Sequence, residues 1–382
     1  MQTRLISLAA LTDDDVRAWQ LLAAHAVEPN VFLDPRFLVP ARRRPEVVHD
    51  LRLVVVQDGA CWLAVLALTI KTIAPGLPVR AATTGGRFAT THSDRHHPLV
   101  RTGRVTEALQ ALLLGLRAVG LPGLVQLQHF PADGPLADAL TRVVGRTSIR
   151  VHERRRTVSA FASRSSVVVP TGTVGPTGAA GPVLLASGHL GAGRRKDLRR
   201  RVRALERAAG GPLELHDVSA DPGTDREFVA LQAAGWKGDP ERGGAALLLD
   251  PPAHRWFQDV AAGFRRTGDL LVLRLAAGGE TVWTGYTLRS GGTWFGFLDA
   301  YAERHRRLSP GALGRLAELT HLFATTDAVH LDPAFEGRYA TGTRLYPDRR
   351  EHVDLLVSTR GLVARAAVRA APVAHRLGLG AG

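Results

Sequence analysis

A single cysteine, Cys61, stands in a chain of 382 residues, so neither an internal disulfide nor a thiolate zinc site can form. Lysine is nearly absent: of 49 lysines and arginines, only Lys71, Lys196 and Lys237 are lysine. No stretch approaches the roughly 18 consecutive apolar residues of a membrane-spanning helix. Met1 to Ala10 holds one arginine and a short apolar patch, too little for a secretion signal. The 40 glycines carry no three-residue period, which excludes a collagen-like fibre. No Walker loop, dinucleotide fingerprint or nucleophile elbow occurs, and Ser159 to Ser166 does not supply one. These absences point to a reducing compartment. We expect a cytoplasmic protein, with peripheral attachment to the inner face of the membrane as the alternative that its charge allows.

What remains is globular. Hydrophobic residues make up 45% and charged residues 22%, and the length suits two domains. Against the 49 cationic residues stand 35 acidic ones, a net charge of +14. A charge of that size attracts phosphates, nucleic acid or acidic lipid.

The pattern alternates helices with strands. Thr12 before Asp13-Asp14-Asp15 predicts a capped helix. Leu51 to Gln57, the turn Asp58-Gly59 and Cys61 to Ile70 predict a hairpin. Thr83 to His97 reads as loop, Arg104 to Val119 as helix, Val125 to Phe130 as strand and Pro135 to Val144 as a short helix. Pro170 to Pro182, rich in Gly, Pro and Thr, reads as a linker. Domains 1–169 and 183–382 follow from it. The second begins with a helix over about 188–209 and a strand at Leu213 to Val218. Helices at Arg226 to Ala234 and Ala253 to Arg266 come next. Leu270 to Ala276, Thr281 to Arg289 and Thr293 to Ala300, joined by Gly278-Gly279 and Ser290-Gly291-Gly292, predict an antiparallel meander. A helix from Ser309-Pro310 to about Thr325, strands at Ala328 to Leu331 and His352 to Val357, and a basic amphipathic helix over about 361–377 close the chain. The halves echo each other, so the expected fold class is α+β, in two tandem units of mixed, mostly antiparallel sheet flanked by helices.

Four constellations bear on chemistry. In the basic helix, Leu198, Val202, Leu205 and Ala209 form an apolar seam, with Lys196, Arg200, Arg203 and Arg207 opposite and Arg199 on the flank. That ridge is either a solvated face or a phosphate-contacting one. At the second site the meander runs into Arg304-His305-Arg306-Arg307-Leu308-Ser309-Pro310-Gly311-Ala312. Ser309 is a good N-cap, Pro310 suits the first turn and Gly311 permits close approach, so free amides and arginines converge where a diphosphate would bind. An ordinary capped helix start would look the same. Thirdly, Trp236-Lys237 either anchors a loop or offers an aromatic face to a base or acyl group and a cation to a phosphate or carboxylate. Finally, His92, Asp94, His96 and His97 share a segment, but their spacing matches no zinc signature, so no metal is expected.

In order, the Arg-rich helix ending Leu205-Glu206, Gly235-Trp236-Lys237-Gly238, the Gly-turn meander, Phe297-Leu298-Asp299-Ala300-Tyr301-Ala302-Glu303, Leu308-Ser309-Pro310-Gly311, Asp332 and Tyr346-Pro347 resemble the GNAT superfamily. Within it the chain is similar to the Fem-like and CelD-type branch, and Phe32 to Phe37 with the Asp58-Gly59 hairpin extends the likeness to the first half. The resemblance implies two GNAT-like domains and transfer of an acyl group, usually acetyl from acetyl-CoA, to an amine. It implies a diphosphate held by Arg306, Arg307, Ser309, Gly311 and Ala312, although Ser309 stands where the family places its first glycine. Asp299, Glu303 and His305 are the candidate bases, and Tyr339 or Tyr346 the candidate acid. Lys196, Arg200, Arg203, Trp236 and Lys237 are candidate contacts to substrate or anion. The Fem-like branch implies aminoacyl-tRNA as an alternative donor. A non-catalytic accessory protein of envelope synthesis, docking an anionic polymer or lipid through the basic helix and Arg360, Arg365, Arg369 and Arg376, is the third expectation.

Overall fold

The structure is a computed structural model that describes residues 1–48, 50–72, 79–93, 95–167, 177–179, 188–335 and 340–376. It divides into two compact units, Met1–Ser159 with Arg350–Gly382, and Ala160–Arg349.

In the first unit, β1 (Gln2–Ser7) pairs antiparallel with β2 (Arg52–Asp58), and β2 with β3 (Cys61–Thr72). The β2–β3 turn contains Gly59 at φ +58°, the left-handed conformation that an Asp-Gly hairpin needs. β3 pairs with both β4 (Arg80–Thr83) and the short β5 (Leu99–Val100). β6 (Leu124–Pro131) lies parallel to β4 through Ala82↔Val125 and Thr83↔Gln126. The helices Asp13–Ala24, Val105–Gly115 and Gly134–Arg146 pack their apolar stripes on this sheet. Thr12 and Asp15 close a reciprocal capping box at the first of them. Two elements differ from expectation here. The segment read as loop contains the helix Arg87–His92, and β7 (Arg150–Ser163) is a long strand where three consecutive arginines mask the alternation. The chain passes into the second unit within β7.

In the second unit, β8 (Thr177–Ala179) pairs with β9 (Leu213–Asp217), and β9 with the meander β10 (Leu270–Ala277), β11 (Glu280–Ser290) and β12 (Thr293–Tyr301). β12 then runs parallel to β13 (His330–Asp332), whose far edge pairs with Ala162 and Ser163 of β7. The basic helix Ala192–Ala209 buries Leu198, Val202 and Leu205 and ends on Gly210 at φ +79°. With Gly223–Ala234, Pro251–Arg266 and Pro310–Thr325 it covers the sheet. β8 lies inside the expected linker; the rest of that stretch is outside the described residues.

β14 (Asp348–Ser358) then returns the chain to the first unit, where it lies between β6 and β7. Val353, Leu355 and Val357 join the core there with Leu127 and Phe130. The terminal helix Leu362–Arg376 rests Ala364 and Val368 on Ala81, Leu124 and Leu356. The expected division at 170–182 is therefore corrected. From Arg350 to Arg376 the described chain groups with the first unit, where β14 pairs with β6 and its apolar side chains join that core. Each unit has a meander whose last strand pairs parallel with the next, so the echo between the halves is present in the topology.

Candidate active site

The site lies in the second unit, where two parallel strands part. β12 and β13 share three register positions, Thr293↔His330, Trp294↔Leu331 and Phe295↔Asp332, and there the pairing ends while β12 continues to Tyr301. At the fork a Cβ on Gly296 would lie 2.6 Å from the Pro333 carbonyl, so glycine is needed for this approach. On its other edge β12 changes register against β11 between Gly296 and Leu298, which leaves Phe297 bulged. The wedge between the strands is a cleft of about 170 Å³. Phe297, Asp299, Arg315, Glu318, Phe335 and Tyr346 are among its walls.

Its polar groups form one network. The Asp299 carboxylate accepts from Arg315 Nε at 2.9 Å and from Trp283 Nε1 at 3.3 Å. Lys237 Nζ donates to the Asp299 carbonyl at 2.8 Å. Burial works to raise the Asp299 pKa, but Arg315 and Lys237 outweigh it and hold the carboxyl at about 2. Glu318 behaves oppositely. Burial in the middle of the helix raises it to about 7, against a hydrogen bond from Thr287 Oγ1 and the nearby Arg315 charge. Tyr346 is buried, and its hydroxyl has no partner among the described residues. Burial and the neighbouring Glu318 push that phenol well above its usual value. Trp283 is clamped by two glycines: a Cβ would come within 2.3 Å of its ring at Gly285 and 2.1 Å at Gly314.

The helix start at Pro310 has a different geometry from the expected cap. Ser309 sits at φ +60° and its side chain caps nothing; instead Arg201 Nη1 donates to its hydroxyl at 2.5 Å. This is the left-handed backbone that a glycine adopts more readily than a serine. Gly311 and Ala312 are half-buried, and Arg306 and Arg307 are exposed beside them. Arg306 pairs with Glu303 at 3.2 Å, whereas Arg307 has no ion-pair partner among the described residues.

The structure brings together only part of the expected set. Asp299 lines the cleft, and Lys237 reaches it, drawn inward rather than offered to a surface phosphate. Trp236 is 37% exposed. Glu303 and His305 are not among the lining groups. The first is occupied by Arg242 and Arg306, the second lies buried against Glu280. Tyr339 lies outside the described residues. Lys196, Arg200 and Arg203 are exposed along the basic helix, with Arg200 paired to Asp197 at 2.6 Å. Sequence reasoning missed Arg315 and Glu318, whose only signal is two charges three residues apart in a helix that is buried nearly all round. Of the histidine segment, His96 and His97 are buried in the first unit, and Asp94 is outside the described residues. Among the described residues no cluster could hold a metal ion, and no helix is long and apolar enough to cross a membrane.

Comparison with known proteins places this geometry. Residues 192–329 match the model of the acetyltransferase (GNAT) domain, a span that holds the basic helix, the meander and the Pro310 helix. The structure of FemX superposes with a TM-score of 0.58 at 10% identity, covering 97% of this chain and 100% of that one. Residues 192–329 are therefore a GNAT-type acetyltransferase domain, in a chain that shares its fold with FemX. A conserved protein of unknown function from Bacteroides thetaiotaomicron superposes at 0.55 with 12% identity, covering 94% of this chain and 98% of its own. The C-terminal domain of a putative lysylphosphatidylglycerol synthetase from Agrobacterium fabrum follows at 0.50 and 11%, covering 96% and 97%. No curated protein matches the sequence. The matched span thus runs through the meander and the Pro310 helix that follows it, and ends where β13 begins.

Proposed function

We propose that this acyltransferase moves a small acyl group, acetyl in the first instance, from acyl-CoA to an amine, in the cytoplasm. The observation that carries the reading is the fork itself. A cleft of about 170 Å³ opens where β12 leaves β13, in the unit whose Pro310 helix starts next to the exposed Arg306 and Arg307. The amides of Gly311 and Ala312 at the helix N-terminus, with Arg306 and Arg307, would hold the cofactor's diphosphate. Arg201, already on the Ser309 hydroxyl, adds a further cation within reach. Bound there, the cofactor supplies an activated thioester. The bulged backbone at Phe297 is the candidate donor to the carbonyl oxygen as charge develops on it.

Among the catalytic candidates, Asp299 is a positioning group. At about 2 its carboxylate is too weak a base for an amine, and its role is to fix Arg315 and Trp283. Of the two candidate acids, Tyr346 lines the cleft and Tyr339 is outside the described residues. With its pKa raised, Tyr346 keeps its proton and would donate a hydrogen bond to a ligand bound in the cleft. Calorimetric titration with acetyl-CoA tests the reading. We expect saturable binding by the wild type and at least a tenfold loss in the double variant Gly311→Trp, Arg306→Ala. No binding, or equal binding by the variant, contradicts it.

A second reading is favoured by the basic helix. Lys196, Arg199, Arg203 and Arg207 are exposed, without ion-pair partners among the described residues, and line an open groove of about 880 Å³. Such a ridge suits the phosphates of an aminoacyl-tRNA donor, and the lipid named for the putative lysylphosphatidylglycerol synthetase makes a lipid-linked acceptor the matching partner. Charged tRNA should then bind with an affinity that falls steeply with salt. Indifference to tRNA at low salt removes this reading.

A further inference from the structure

The acyl-CoA reading leaves the amine without a base, because a primary amine arrives as an ammonium ion and cannot attack until it loses a proton. We infer that Glu318, held by Thr287 on the wall of the β12–β13 cleft, is the group that takes this proton. The inference rests on the acyl-CoA reading and adds a residue to it.

Geometry selects Glu318 from the carboxylates nearby. It projects from the middle of the Pro310 helix, is 5% exposed, and lines the cleft. Thr287 Oγ1 of β11 donates to its Oε1, which fixes the carboxyl plane. Asp299, on β12, is engaged by Arg315 and Trp283, while Glu303 and Glu280 are tied to arginines away from the lining. The charged and titratable groups facing Glu318 are Arg315 from its own helix, Asp299 from β12, and Tyr346. The Arg315 charge is largely spent on Asp299, so burial dominates and Glu318 is poised at about 7. A carboxylate so placed is a far stronger base than a solvated one, and it is half ionised at neutral pH.

The step balances as follows. The ammonium proton passes to the Glu318 carboxylate and leaves a neutral amine. The nitrogen lone pair forms the C–N bond to the acyl carbon while the C–S bond breaks and its electron pair goes to sulfur. The second nitrogen proton ends on sulfur, and Glu318 returns its proton to water. An amide, a thiol and one proton leave the site.

Two measurements on the whole protein test this. Infrared difference spectra across a pH titration should show a protonated-carboxyl band with its midpoint at about 7 in the wild type and none in Glu318→Gln. A wild-type spectrum without that band overturns the assignment, whatever the donor. The second measurement follows acetyl-CoA consumption with methylamine, protonated at neutral pH, and with hydroxylamine, which is already neutral. Glu318→Gln should lose about 100-fold with methylamine, lose little with hydroxylamine, and bind acetyl-CoA as the wild type does. Glu318→Asp should restore part of the methylamine rate with a shifted pH profile. An equal loss with both amines, no loss with either, or a wild type that binds acetyl-CoA yet turns over neither overturns the role of Glu318. Failure of the wild type to bind acetyl-CoA instead sinks the donor reading, and the infrared titration then decides Glu318 alone.

Discussion

At the scale of single residues, burial sets the chemistry in both units. In the cleft it separates two carboxylates: Asp299 is compensated by Arg315 and Lys237, and Glu318 is not. In the first unit it acts on histidines. Burial, with His129 stacked at 5.1 Å, lowers His96 to about 4. Burial and the charge of Arg350 lower His97 to about 3. His352 is depressed too, by burial and then by Arg95 and Arg350. Unfolded histidine titrates at about 6.5. The folded values lie below that, so the unfolded chain binds more protons. The associated stability is complete above about 6.5 and is lost as pH falls through the folded values. The melting transition of the first unit should therefore drop steeply between about pH 6.5 and about pH 4. His96→Gln should flatten that slope by about one proton, read by calorimetry at several pH values. An unchanged slope would show that His96 is charged in the folded state. None of this was legible in a segment that offered only three histidines and an aspartate at an unconvincing spacing.

At the scale of elements, what the sequence shows best is what local chemistry controls. The Gly278-Gly279 turn has both residues at positive φ, and a Cβ on Gly278 would lie 2.0 Å from the Ala209 carbonyl. The basic helix has the seam its spacing predicts. Leu205 is fully buried, so Leu205→Ala should cost about 2–5 kcal/mol. Arg203→Ala on the opposite, exposed face should stay within about 0.5 kcal/mol. Urea melts of the two variants compare seam with ridge directly, and similar losses would mean that the ridge is packed. The Pro310 helix was legible in extent but not in role. Its start departs from the expected serine cap because Arg201 holds the Ser309 hydroxyl. Its glycine at 314 looks like a weak point in a helix, yet it is the space that Trp283 fills. Gly314→Ala should push the indole off Asp299, destabilise by about 1–3 kcal/mol and lower turnover more than Gly193→Ala, a glycine with open space around its Cβ position and no left-handed backbone. Equal behaviour of the two variants would remove Trp283 from the positioning of Asp299.

At the scale of the whole molecule, the sequence revealed the repeat but not its boundaries. A Gly/Pro-rich stretch suggests a cut, but strand pairing decides membership, and pairing between residues more than two hundred positions apart leaves no local mark. β14 returns to β6 in the first unit through Leu355↔Leu127 and Val357↔Val125, and its core partners come from the other end of the chain. Removing residues 350–382 should therefore unfold the first unit and spare a separate calorimetric transition of the second. Loss of both transitions, or survival of both, would contradict this partition. The acyl-transfer account depends on the second unit, where the meander, the fork and the Pro310 helix lie in one continuous stretch of chain. The most direct test of that account is a crystal structure of the protein with a non-reactive thioether analogue of acetyl-CoA. The account predicts the diphosphate within hydrogen-bond distance of the Gly311 and Ala312 amides, and the sulfur in the cleft between Phe297 and Pro333. A diphosphate bound elsewhere, with the cleft closed to the analogue, would contradict it.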